Sequence, residues 1–307
     1  MRWCLLLIII MLSGCQPSHR IEPVTVIIGS WYGFYPLFYA QSLELDKRHN
    51  IRLKIVEPTN VSNLRRSYLR SQVEFAATSM LEYTNAVVLS RQKLKPTIIT
   101  DYSNGGDVIV TSKTIESIAD LRDKRIAVPS KGIGEYILSI IFENSEPGQF
   151  YTQIKIPETQ CSDAFIEGEI DACLTYPPLS TQMLASNPKL HVIYDSSQYP
   201  RQIFDMIWAK QDVPKTTLDN MRSIWFEVIE RINKDPEAYY QYVSNIANVT
   251  PESVKVAMAG IHLIDQAEHA TLWESNEQLA ASLVTACKVA SRNQCLTFEH
   301  AFKWAEQ

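Results

Sequence analysis

The chain has 307 residues, 46% of them hydrophobic, and a formal net charge of −5. That length suits two lobes of roughly 100–200 residues, each with its own core. The mild, scattered charge offers no basic run to neutralise phosphates and argues against nucleic-acid binding. The absence of low-complexity tracts argues against a stalk or a disordered tail.

The chain opens with Arg2, an apolar run from Trp3 to Leu12, and then Ser13-Gly14-Cys15. Small residues before a cleavage point mark a secretory signal, and a cysteine directly after them adds information. The pattern resembles a bacterial lipoprotein lipobox. It implies removal of residues 1–14, thioether lipidation of Cys15 and a polar tether over residues 15–22. About ten apolar residues fall short of the roughly 20 that a membrane span needs, so the apolar run is not read as an anchor. The expected location is the periplasmic side of a bacterial membrane, with the membrane reached only through the lipid.

Val24–Ile28 has a buried-strand pattern, and Pro36–Leu43 follows with helical spacing. Strands are predicted at 51–56 and 75–77 and helices at 62–71 and 79–91, the last opened by Ser79 as N-cap. Strands at 97–100 and 108–110 flank the polar turn Ser103-Asn-Gly-Gly-Asp107. A second series repeats the rhythm, with strands at 125–128, 153–156, 171–175, 191–194 and 204–209 separated by helices at 117–121, 133–144, 162–167 and 178–185. Such alternation predicts α/β sheets with parallel neighbours. From Lys215 onward the pattern is all helix, and this tail is expected to pack on the first lobe.

Two crossings between lobes are expected, at Asn104-Gly105-Gly106, where glycine permits positive φ, and at Ser196–Pro200. The domain reading is therefore a discontinuous first lobe, 23–104 with 199–307, around a second lobe, 105–198. Loss of Cys4 with the signal and alkylation of Cys15 leave Cys161, Cys173, Cys287 and Cys295 in an oxidising compartment. Local bridges 161–173 and 287–295 are expected, although four cysteines permit three connectivities.

Several phrases, in order, resemble the periplasmic solute-binding proteins of ABC importers, in the branch that takes nitrate, taurine, sulfonates and thiamine precursors. They are Gly29-Ser-Trp-Tyr-Gly-Phe-Tyr-Pro-Leu-Phe-Tyr-Ala40, Asp101-Tyr-Ser-Asn-Gly-Gly-Asp107, Ile115-Glu-Ser-Ile-Ala-Asp-Leu-Arg-Asp-Lys-Arg-Ile-Ala-Val-Pro129, Phe165-Ile-Glu-Gly-Glu-Ile-Asp-Ala172 and Thr175-Tyr-Pro177. Collinearity from about residue 24 to 210 is more specific than any one phrase. The resemblance implies a two-lobed periplasmic-binding-protein fold of type II, with an interlobe ligand cleft and a helical C-terminal part. It implies a monomer that captures a small organic or oxyanion solute and hands it to an ABC permease. The alternative is a ligand-loaded clamp that docks a membrane sensor protein.

Open α/β sheets bind ligands beyond the carboxyl ends of their strands, so candidate contacts are sought there. Trp31 and Tyr35 follow the first strand and offer aromatic walls for a flat or cationic solute. Thr78 and Ser79 stand at a helix start, where free amides and hydroxyls suit a polar or anionic atom. Ser103 and Asn104 sit at the crossing. Ser130 and Gly132 lie in the loop Pro129-Ser-Lys-Gly-Ile-Gly-Glu135, and Tyr176 is the second lobe's expected aromatic lid. Each also has a plain structural role open to it, as core ring, cap or turn residue.

Catalysis finds no support, because neither G-x-S-x-G nor H-E-x-x-H occurs. No cofactor and no metal are expected. His262 and His269 are not at the one-turn spacing of helical zinc ligands.

Overall fold

The structure is a computed structural model that describes residues 23–70, 73–90, 93–128, 132–142, 149–275 and 277–290. Cys15, the tether, Ser130 and Cys295 lie outside the described residues.

The first unit alternates as the hydrophobic pattern dictates: β1 (Pro23–Ile28), α1 (Pro36–Ser42), α2 (Leu45–Arg48), β2 (Arg52–Val56), α3 (Val61–Leu69), β3 (Phe75–Ser79), α4 (Met80–Ser90) and β4 (Leu94–Ser103). The second unit holds β5 (Val108–Ser112), β6 (Arg125–Ala127), α5 (Ile133–Ile141), β7 (Thr152–Ile154), α6 (Cys161–Ile166), β8 (Ala172–Thr175), α7 (Leu179–Ser186) and β9 (Leu190–Asp195). After it come β10 (Phe204–Lys210), α8 (Lys215–Lys234), α9 (Pro236–Ala247), α10 (Pro251–Ala259), β11 (Ile261–Leu263), α11 (Gln266–Glu274) and α12 (Glu277–Ala290). Local chemistry sets the helix starts. Asn60, Asp235, Thr250 and Asp265 each accept a backbone N–H from the first turn of the helix they open, and Pro36, Pro236 and Pro251 occupy first-turn positions.

The strands form a six-stranded sheet ordered β11-β4-β10-β3-β1-β2 and a five-stranded sheet ordered β7-β6-β8-β5-β9. The chain leaves the first sheet after β4, threads the second through 108–195, and returns at β10. Not all neighbours are parallel, as the alternation had predicted. β1 runs parallel to β2 and β3, and β6 to β7 and β8, but β5 and β10 are antiparallel to both their neighbours. Each is the first strand after a crossing, so it enters its sheet at the edge where the neighbouring strands leave. The carboxyl ends of β1, β3, β4, β6 and β8 therefore gather around the two crossings.

The tail is not purely helical either. β11 adds an antiparallel edge to β4, with Ile261 opposite Ser103. Helices α8, α9 and α10 pack with α1 over one face of the first sheet, around Trp225, Ile229 and Tyr239. Helix α12 departs from the expectation for the tail: it packs on α4 of the first unit and also on α5 of the second. Leu279, Leu283 and Cys287 share one apolar cluster with Tyr83, Tyr136 and Ile137. The other face of the second sheet is closed by α6 and α7, and there Cys161 and Cys173 are joined in a buried disulfide. Cys287 is buried on α12, and its expected bridge to Cys295 falls outside the described residues.

Candidate ligand-binding site

The loop after β1 carries Trp31 into the space between the two sheets. Its indole N–H donates to the Asp101 carboxylate at 2.9 Å, and its ring meets the edge of Tyr176 with centroids 5.8 Å apart. Tyr176 follows β8 of the second sheet yet packs against the core of the first, so the two rings close one side of the cleft from opposite units. Two glycines make room for the indole. A Cβ on Gly33 would stand 2.5 Å from the Trp31 Nε1, and one on Gly106 would stand 2.6 Å from its Cη2. Gly106 belongs to the first crossing, where Gly105 takes a φ of +112°.

Beneath these rings lies a group of acids. Asp101 on β4 stands directly opposite Asp205 on β10, and both are buried. Burial raises the carboxyl of Asp101 above its usual range, against the stabilising pull of the Trp31 N–H. Burial and then the facing Asp101 hold Asp205 well above it. Asp107, at the end of the crossing, is 4% exposed. Burial pushes its carboxyl up to about 7; the Ser103 hydroxyl opposes the shift, and Asp101 and Glu158 add to it. Glu158, just before α6, is raised by burial and by Glu82 across the cleft, while Arg65 opposes the shift. Glu158, Asp107, Asp205 and Glu82 all bear electrostatically on the Tyr176 hydroxyl.

Glu82 is the compensated member of the group. Arg65 on α3 holds it through both guanidinium arms, with Nε to Oε2 at 2.8 Å, and the Tyr68 hydroxyl donates to it at 3.1 Å.

The structure places the sequence-predicted residues in different settings. Trp31 and Tyr176 meet in the cleft. Tyr35 turns outward, with its hydroxyl on Glu57 at 3.2 Å and its ring on Tyr32 and Phe38. The Thr78 hydroxyl is committed inside the core, accepting from the Trp208 indole at 2.9 Å. Ser79 caps α4, its hydroxyl accepting from the Glu82 N–H at 3.3 Å. Ser103 is buried and knits the two crossings together, lying 2.7 Å from the Ser196 hydroxyl and accepting from the Asp107 N–H at 3.0 Å. Asn104 exposes its side chain and donates its N–H to Gly260 at 2.9 Å. Gly132 is the buried N-cap of α5.

Asp101, Asp205 and Glu158 are absent from the sequence-predicted contacts. For Asp101 and Asp205 the signal was an acid standing alone in an apolar strand, as in Phe204-Asp-Met-Ile-Trp208, where Asp is depleted; Glu158, in the turn before α6, carried no such signal. Among the described residues no group of His, Cys, Asp and Glu has metal-ligand geometry.

The architecture has known counterparts. The periplasmic aliphatic sulphonate binding protein SsuA from Escherichia coli superposes with a TM-score of 0.71 at 13% identity, over 91% of this chain and 88% of that one. A Candida albicans gene product with the generic periplasmic binding protein structural fold gives 0.69 at 12% identity, over 91% and 95%. The alkanesulfonate-binding protein SsuA from Xanthomonas axonopodis pv. citri, bound to MOPS, gives 0.67 at 13% identity, over 85% and 94%. Likeness at such identity shows the fold, which is the two-lobed periplasmic-binding-protein fold. No curated protein matches the sequence. The NMT1/THI5-like family model matches residues 31–207, from the cleft tryptophan to the strand that carries Asp205. This chain is a member of the NMT1/THI5-like family.

Proposed function

We propose that this protein is the solute-binding subunit of an ABC importer. It is held by an N-terminal lipid on the periplasmic side of a bacterial membrane, and it delivers a small organic solute to the permease as a monomer. The observation that carries this reading is the meeting of Trp31 and Tyr176 between two sheets that touch through their crossings and turn their strand ends to one cleft. The sulfonate-binding function of the SsuA proteins supports it by analogy of fold. In this reading residues 23–104 and 199–307 form one lobe and 105–198 the other. Trp31 and Tyr176 are the walls, and helix-end groups near Ser79, Ser130 and Gly132 add polar contacts. No catalytic step is assigned to the protein.

A thermal-shift screen of residues 18–307, which keep every described element and omit Cys15, tests this directly. A solute at a hundred times its Kd raises stability by about 2.7 kcal/mol. One chemical class giving such a shift supports the reading, and silence from amines, pyrimidines, sulfonates, nitrate and carboxylates alike overturns it.

A further inference from the structure

The Asp101 and Asp205 carboxyls face each other across adjacent strands, within reach of sharing one proton. Asp101 Oδ1 accepts the Trp31 N–H, but its buried Oδ2 finds no donor among the described residues. Asp205 is 5% exposed, and burial and the facing Asp101 hold its carboxyl well above the usual carboxylate range. Among the described residues Asp107 has the Ser103 hydroxyl as its side-chain donor. Around these lie Glu158 from the second unit, Glu82 and the Tyr176 hydroxyl. Among the described residues Arg65 is engaged with Glu82, and the His262 ring nitrogen lies 2.7 Å from the Glu268 carboxylate.

A buried carboxylate without a partner is penalised by several kcal/mol and takes up a proton instead. Asp101, with one buried oxygen unpartnered among the described residues, stands with Asp205 and Asp107 beside two aromatic rings, and no cation among the described residues is paired with any of the three in an ion pair. A ligand ammonium satisfies the open oxygens by hydrogen bonds and charge, and aromatic faces attract the same cation.

We propose that the solute is an organic cation, a protonated amine on an apolar or aromatic body, with its ammonium beside the Asp101–Asp205 pair and Asp107 and its body against Trp31 and Tyr176. The assignment rests on the solute-binding reading and narrows it away from the sulfonates for which the SsuA proteins are named. An anion would bind here only if the carboxyls stayed protonated and donated to it, so the two ligand signs carry opposite pH dependence.

The test is calorimetric titration of residues 18–307 with tyramine, phenethylamine and putrescine, and with ethanesulfonate, MOPS and nitrate, between pH 5.5 and 8. The expected result is binding of at least one amine, with protons released to the buffer and affinity rising up to about tenfold per pH unit per proton released, levelling above about 7. Asp205→Asn is expected to remain folded and to lose amine binding by about a hundredfold, and Asp107→Asn by about tenfold.

Ethanesulfonate, MOPS or nitrate binding that strengthens as pH falls, with the amines silent, overturns the cation assignment and leaves the solute-binding reading standing. Amine binding indifferent to pH and to Asp205→Asn overturns the placement of the site. Silence toward every probe and toward the wider screen removes both readings together.

Discussion

The Trp31 indole N–H and the Asp101 carboxylate, 70 residues apart in the chain, meet at 2.9 Å in a buried pair. This contact joins the wall of the cleft to its charge: the ring that would cover a solute also donates to the first acid beneath it.

Trp31→Phe separates those two roles, keeping most of the ring while stranding Asp101. We expect the protein to stay folded and its solute Kd to rise about tenfold, the effect of losing one hydrogen bond to a charged group. Titration of wild type and variant with the solute found by screening reads this, and an unchanged Kd removes Trp31 from the site.

Glycine substitutions distinguish crowding from backbone strain. Gly106→Ala places a Cβ 2.6 Å from the indole and 2.9 Å from the Gly260 carbonyl oxygen, and should cost about 1–3 kcal/mol with disturbed Trp31 fluorescence. Gly168 has a φ of +69° but nothing within 4 Å of its Cβ position. There alanine should cost only about 1 kcal/mol, with the fluorescence unaltered. Urea unfolding followed by fluorescence compares the two.

Two groups give stability opposite slopes with pH. Burial raises Asp107 from 3.8 to about 7, so the folded state keeps a proton that the unfolded chain has released. Its contribution is full below about 4 and is lost as pH rises to 7, and Asp107→Asn should remove that slope and raise Tm at pH 8. His269, stacked on Trp273 with its Nε2 unpartnered, is lowered by burial from 6.5 to about 4. The unfolded chain takes up its proton first, so stability is full above 6.5 and falls as pH drops toward 4. His269→Phe should flatten that limb, and Tm measured from pH 4 to 8 on both variants checks each sign.

The disulfide joins cysteines separated by 12 positions, at the start of α6 and in β8. Replacing Cys161 and Cys173 by serine should cost about 3 kcal/mol through the freed unfolded chain. Denaturant unfolding measures it, and a loss below about 1 kcal/mol would mean that packing around α6 does the work alone.

Much of the architecture was legible because apolar periodicity reports which face of an element is buried. Val24–Ile28, Phe204–Ala209 and the strand–helix rhythm between them need no long-range information. β11 was not legible: Ile261-His262-Leu263 becomes a strand only because β4 lies beside it. The direction of β5 and β10 was hidden too, since pattern fixes a strand's faces and not its polarity. Within the site, Trp31 and Tyr176 stood out as rings in loops after strands. The Asp101–Asp205 pair depends on a register between strands far apart in the chain, which no local spacing encodes. Thr78 shows the converse, a polar residue at a promising strand end whose hydroxyl the core has already taken.

Helix α12 lies behind the cleft, braced on α4 of one unit and α5 of the other, while the Tyr136 hydroxyl of α5 donates at 2.9 Å to Gln202 in the return crossing. The units are thus strapped at the back as well as threaded at the crossings. Any swing between them must slide α5 along α12, a shear of packed side chains that permits only a short travel. On the solute-binding reading proposed above, a clamp of such short travel would screen its guests by girth at the mouth before charge selects among them, turning bulky solutes away by kinetics rather than by affinity.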